Sequence, residues 1–119
     1  MFQKGSFSVP SDTSGVFLVK VIQTRRCSTK RHGKTGKFLR VVLKQTKPRL
    51  IRRRKKRMRA LTIRSSHKFL RRDGLTFKFD FNALVILRRR MNALGRETIG
   101  PTSKEMKIKK FRKSIICIF

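Results

Sequence analysis

The sequence predicts a mostly β protein, a small closed β-barrel forming a single domain over residues 1–119. Three observations lead there. Apolar residues recur with a period nearer two than 3.6. Short β-favouring runs alternate with turn residues about every 8 to 15 positions, the spacing of all-β sandwiches and barrels. The length of 119 residues suits one domain, and no internal repeat or linker divides it.

Each element follows from its residues. Phe7 and Val9 alternate in a first strand that ends at Pro10, and Asp12-Thr13-Ser14-Gly15 is a turn cluster in which Asp12 accepts backbone N–H bonds. Val16 to Ile22 is an almost continuous β-favouring run. A basic loop from Gln23 to Thr35 carries Arg25, Arg26, Lys30, Arg31 and Lys34. Lys37 to Lys44 is the next strand, closed by Pro48. Arg49 and then Arg52, Arg53, Arg54, Lys55, Lys56 and Arg57 form the charge peak; consecutive cations repel one another, so an exposed loop is expected. Arg59 to Arg64 returns to a strand. His67–Leu70 and Leu75–Phe79 flank Arg71-Arg72-Asp73-Gly74, and Asp-Gly between β-favouring runs is a hairpin signal because both turn positions tolerate positive φ. Ala83 to Leu87 is a further strand, ending at Arg88-Arg89-Arg90. Gly95, Gly100 and Pro101 mark an irregular connection. Thr102 or Ser103 then caps a short amphipathic helix through Met106, Lys109, Lys110 and Phe111, with a final apolar segment from Ser114 to Phe119, so a helical segment is expected over about 102–118.

Charge narrows the function. The chain holds 34 Lys plus Arg against 5 Asp plus Glu, a net charge of +29, yet 38% of its residues are hydrophobic. The apolar content is too high for a disordered basic tail, and self-repulsion at that density opposes compaction unless an anion neutralises it. With so few acids, nearly all the cations lack protein partners, and phosphate supplies counter-charge at such density. The arginine bias of 52–54 and 88–90 suits bidentate phosphate contacts. No helix-turn-helix, zinc finger or heptad is visible, so structured RNA read by shape is the favoured partner. A free basic protein of the nucleoid or RNA-packaging kind is the alternative.

Other chemistries fall away. No run approaches the roughly 18 apolar residues of a membrane span, and no membrane partner is expected. Cys27 and Cys117 lie 90 positions apart with no ligand at metal spacing, so two reduced thiols are expected, with no metal and no cofactor. Ser14 breaks the likeness of the Asp12 turn to an aspartic-protease motif. His32 and His67 sit in basic segments without a carboxylate partner, and no catalytic triad can be assembled. Asp12, Asp73, Asp80 and Glu105 occupy turns, a strand end and a first helical turn, which are structural places for an anion. Phe77, Phe79 and Phe81 alternate with Lys78, Asp80 and Asn82. Phe77 and Phe79 fit the inward face of a barrel strand; Phe81 stands open between core and a stacking platform for single-stranded bases.

In this setting the chain resembles the universal large-subunit ribosomal protein 14 family, from residue 1 to about 118. The family's Asp-Asn-Ser-Gly turn is similar to Asp12-Thr13-Ser14-Gly15 at the same distance from the start, its Lys-Val strand to Lys20-Val21, and its Gly-Asp to Gly36-Lys37. Its Lys-Ala-Val-Val-Val-Arg resembles Arg59-Ala60-Leu61-Thr62-Ile63-Arg64. Arg-Arg-x-Asp-Gly followed by Arg-Phe-Asp-x-Asn-Ala-x-Val-Leu resembles Arg71 to Gly74 and then Lys78 to Ile86. Gly-Thr-Arg-Ile-Phe-Gly-Pro-Val-x-Arg-Glu-Leu is similar to Gly95 to Met106. Departures are a shorter segment between Gly15 and Lys20, loss of a Lys-Lys-Gly-Asp turn in Arg52 to Met58, and Arg88-Arg89-Arg90 in place of an Asn-rich loop.

The resemblance implies a small five-stranded closed β-barrel with a projecting β-hairpin and short C-terminal helices. It implies a non-enzymatic structural protein that binds large-subunit rRNA at the intersubunit face and supports a bridge to small-subunit rRNA. Large-subunit proteins 19 and 3 are the implied neighbours. Arg96 and Glu97, together with Lys110, are the expected protein or bridge contacts. Bacterial members present a Thr-Arg pair where Arg96-Glu97 stands, at the connection used by a ribosomal silencing factor. The drift towards Phe, Ile, Lys and Arg, with no Trp or Tyr, and an alignment beginning at Met1 point to an organelle-encoded protein of the mitochondrial matrix, with a plastid or bacterial cytoplasm as the alternatives.

Overall fold

In the computed structural model, residues 2–24, 35–49, 57–88, 90–104, 106 and 115–118 are described. Strands run β1 (Phe7–Ser8), β2 (Val16–Thr24), β3 (Phe38–Thr46), β4 (Arg57–Arg64), β5 (Phe69–Leu70), β6 (Thr76–Phe77), β7 (Ala83–Leu87), β8 (Thr98–Thr102) and β9 (Ile115–Ile118). A five-stranded sheet in the order β1-β2-β3-β4-β7 carries the fold, with every neighbouring pair antiparallel.

Alternation sorts the side chains of this sheet onto two faces. Val19, Val21, Leu39, Val41, Leu43, Ala60, Leu84 and Ile86 form one core with Phe2. Leu61, Ile63, Ala83, Val85 and Leu87 form a second, against which Phe38, Met91, Ala93, Met106 and Ile115 pack. Strand β7 is therefore buried on both faces, which is why it reads as five consecutive apolar residues instead of alternating.

The expected closed barrel is not formed: among the described residues no sheet closes on itself. The edge strands β1 and β7 approach through one parallel bridge, Pro10 to Leu84, and one hydrogen bond from the Ser11 N–H to the Leu84 carbonyl at 3.0 Å. The reason is local. Strand β1 is two residues long, and Pro10 has no N–H to extend a ladder. A side chain takes over at the next position. Asp12 is buried, and its Oδ2 accepts the Ile86 N–H at 3.0 Å while Oδ1 accepts the Ser14 N–H at 3.3 Å and the Ser14 hydroxyl. The structural reading of Asp12 thus holds, and the carboxylate also joins the turn to β7.

The hairpin over the Asp-Gly turn is present, with Phe69 opposite Phe77 and Leu70 opposite Thr76. Gly74 alone takes positive φ, at 80°, and its N–H donates to the Arg71 carbonyl at 3.1 Å while the Arg71 N–H donates to the Leu75 carbonyl at 2.8 Å. The loop is a three-residue one ending in a left-handed glycine, not a two-residue turn with both positions positive.

The C-terminal helical segment over about 102–118 is also corrected. Thr102 ends β8 instead of capping a helix, its hydroxyl donating to the Cys117 carbonyl at 3.1 Å, and Ile115–Ile118 is β9, paired parallel to β8. Ser103 and Met106 close a single turn through the Met106 N–H and the Ser103 carbonyl at 3.1 Å. The β-branched isoleucines at 115, 116 and 118 favour a strand. Residues 107–114, including Lys110, lie outside the described residues.

Candidate nucleic-acid interface

Strand register brings together cations that the sequence scatters. Phe7 faces Lys20, Lys20 faces Val42, and Val42 faces Arg57, one row across β1, β2, β3 and β4. Two positions along on the same face, Arg40 stands directly opposite Arg59. Lys20 and Arg57 are exposed and Arg40 and Arg59 half-buried. The Lys20 ammonium lies 5.5 Å from the centroid of the Phe7 ring. Like charges directly opposite on a sheet destabilise it. A bound polyanion would relieve that cost. The other end of the same face is the apolar core of Leu61, Ile63 and Val85.

The turn after β7 adds to this end. The Arg88 N–H donates to the Asn92 carbonyl at 2.8 Å and the Met91 N–H to the Arg88 carbonyl at 3.0 Å, with Met91 in the left-handed region at φ 63°. Arg59 reaches the same turn, its Nη1 lying 3.2 Å from the Met91 sulfur. Arg88 and Arg90 are exposed.

The β5–β6 hairpin forms a second basic element. Phe69, Phe77 and Phe79 pack edge to face with centroids 5.5 and 4.9 Å apart, and the Arg71 guanidinium lies 4.5 Å from the Phe77 centroid. Arg71 is half-buried by this stacking, whereas Arg72, Lys68 and Lys78 are exposed. Phe79 is buried and Phe77 half-buried, in keeping with a packing role; Phe81 is 59% exposed.

Of the remaining expected contacts, Arg49 is exposed. Arg57 opens β4, so the cationic stretch is not a loop to its end. Arg25, Arg26, Lys30, Arg31, Lys34, Arg52, Arg53, Arg54, Lys55, Lys56 and Arg89 lie outside the described residues. Arg96 and Glu97 are exposed on a segment bound to the Asp12 turn: both of their N–H groups donate to the Thr13 hydroxyl, at 3.1 and 3.3 Å, and the Thr13 N–H donates to the Glu97 carbonyl at 3.2 Å. Gly95 backs this junction, where a Cβ would stand 2.9 Å from the nitrogens of Thr13 and Ser14. Two motifs far apart in sequence are thereby one structural unit.

Sequence reasoning missed Lys20, Arg40 and Arg59; alternation in Phe38-Leu39-Arg40 and in Arg57-Met58-Arg59 sets Arg40 and Arg59 on the face opposite Leu39 and Met58, but their apposition with Lys20 needs the register. It also missed Arg64, which is 3% exposed. Its Nη2 donates to the Ile99 carbonyl at 3.0 Å and its Nη1 to the Pro101 carbonyl at 3.4 Å, which ties β4 to β8. Burial lowers its pKa below the ordinary arginine value, yet a guanidinium stays charged in proteins. Among the described residues no group of three His, Cys, Asp or Glu could hold a metal, and Cys117 is an exposed free thiol. Compared with known families, residues 1–117 match the model described as ribosomal protein L14p/L23e.

Proposed function

Because the chain belongs to the ribosomal protein L14p/L23e family, whose members are structural, non-enzymatic constituents of the large ribosomal subunit, we propose that its cationic sheet end and hairpin bind large-subunit rRNA near the intersubunit face. The observation that carries this reading is the apposition of Arg40 and Arg59 beside Lys20 and Arg57, with no acid in those rows. The cations of segments 25–34 and 52–56 are assigned to rRNA contact on their charge alone. The segment at Arg96 and Glu97 serves the subunit bridge and the neighbouring proteins 19 and 3. A silencing factor that docks on a cation in bacterial relatives meets an anion at Glu97 here, and like charges across an interface disfavour docking. The drift towards Phe, Ile, Lys and Arg, with no Trp or Tyr, supports a ribosome of the mitochondrial matrix over one of a plastid or of the bacterial cytoplasm.

The reading is tested by a thermal melt with and without large-subunit rRNA. Binding to the native state alone stabilises it by about 2.7 kcal/mol at a hundredfold excess over Kd, which raises the midpoint by roughly 10 °C for a domain of this size. Equal midpoints would remove the case for RNA as the missing counter-charge.

A further inference from the structure

Phe81 is neither core nor incidental surface. It sits in the bend after β6, 59% exposed, and the Arg64 guanidinium lies 4.7 Å from its ring centroid. Arg64 itself is held by the Ile99 and Pro101 carbonyls and is 3% exposed, so it cannot reach a phosphate directly. Gly100, with φ 85°, leaves room for that guanidinium, since a Cβ there would stand 2.2 Å from Nη1. The ring therefore rests on a fixed, buried cation. Ile99, 59% exposed, stands at the same corner, because its carbonyl holds the same guanidinium.

We infer that the exposed face of Phe81 is a stacking platform for one unpaired RNA base, backed from beneath by Arg64. The inference rests on the RNA-binding reading above and adds a ligand class and a site. Three features favour a base over other occupants. A cation against one face of an aromatic ring draws electron density from it, which suits an electron-rich nucleobase on the other. Asp80, the exposed neighbour of Phe81, repels phosphate and so selects the uncharged base plane. A surface of net charge +29 recruits a polyanion, and an unstacked base is the apolar part such a partner can offer.

The absence of Trp and Tyr gives a direct test. Phe81→Trp makes position 81 the sole source of indole emission, which a stacked base quenches. Large-subunit rRNA is expected to quench it, and polyphosphate, which carries charge without bases, is expected to leave it unchanged. In parallel, Phe81→Leu keeps an apolar cover over Arg64 but removes the π face. It should weaken rRNA binding about tenfold with no change in the slope of log K against log salt, while the melting midpoint of the free protein stays within a few degrees. Binding of rRNA that leaves the indole emission unmoved, or a Phe81→Leu chain that binds as tightly as the parent, overturns the inference and turns the ring towards protein or solvent. Equal quenching by polyphosphate overturns it as well, since the signal would then report charge alone. If rRNA does not bind the parent chain at all, the RNA-binding reading fails first and the platform with it.

Discussion

Replacing Gly100 with alanine is expected to lower the melting midpoint by roughly 10 °C. Two costs add. At φ 85° the backbone is in the left-handed region, which costs an L residue about 1–2 kcal/mol. The new Cβ would also stand 2.2 Å from Arg64 Nη1 and 3.3 Å from its Cζ. An arginine tip normally moves aside cheaply, but this one is 3% exposed and donates to two carbonyls of β8. Displacing it leaves a buried charge short of partners, and overpacking of this kind costs about 1–3 kcal/mol. The sum of about 3 kcal/mol corresponds to roughly 10 °C for a domain of this length. The clash is separable from the backbone strain. In an Arg64→Met background, Gly100→Ala should cost only the strain, about half as much. An equal loss for Gly100→Ala in the parent and in the Arg64→Met background would mean that Arg64 is not held against Gly100.

The second large effect concerns charge. Changing Arg52, Arg53 and Arg54 together to serine should flatten the dependence of log K on log salt for rRNA binding by roughly two to three units. Each phosphate contact contributes about −0.9 to that slope on duplex and about −0.7 on single strands. An unchanged slope would make the triplet a solvated surface feature. Loss of the Phe81 stacking contact lowers affinity at every salt concentration, whereas loss of a phosphate contact changes the slope.

The main sheet was largely legible in the sequence, because the period-two signal is strong wherever one face is buried. Strand β7, buried on both faces, coincides instead with the unbroken apolar run Ala83 to Leu87; β2 and β4 extend their expected runs by two residues each, and β3 starts one residue later and ends two later than expected. Closure was not legible. Whether two edges zip together depends on how far β1 continues, and Pro10 stops it. Strands β8 and β9 were hidden for separate reasons. Gly100 and Pro101 interrupt any propensity signal in β8, and their positions are dictated by Arg64, a contact between residues more than thirty apart. Strand β9 is parallel to β8, so no short turn announces it. At the candidate interface, the clusters of adjacent cations were evident while the cross-strand group of Lys20, Arg40, Arg57 and Arg59 was not, because register is a tertiary property. Phe81 stayed open in the sequence for the same reason: its partner, Arg64, lies on another strand.

A large-subunit protein held in place by rRNA, as proposed above, should travel with that subunit. Sedimentation of a lysate containing the tagged full chain through a sucrose gradient tests it most directly. The protein should migrate with the large subunit and stay there through washes at moderate salt. Recovery at the top of the gradient, or spread across nucleic acid of every size, would contradict it and favour a free basic nucleic-acid-binding protein.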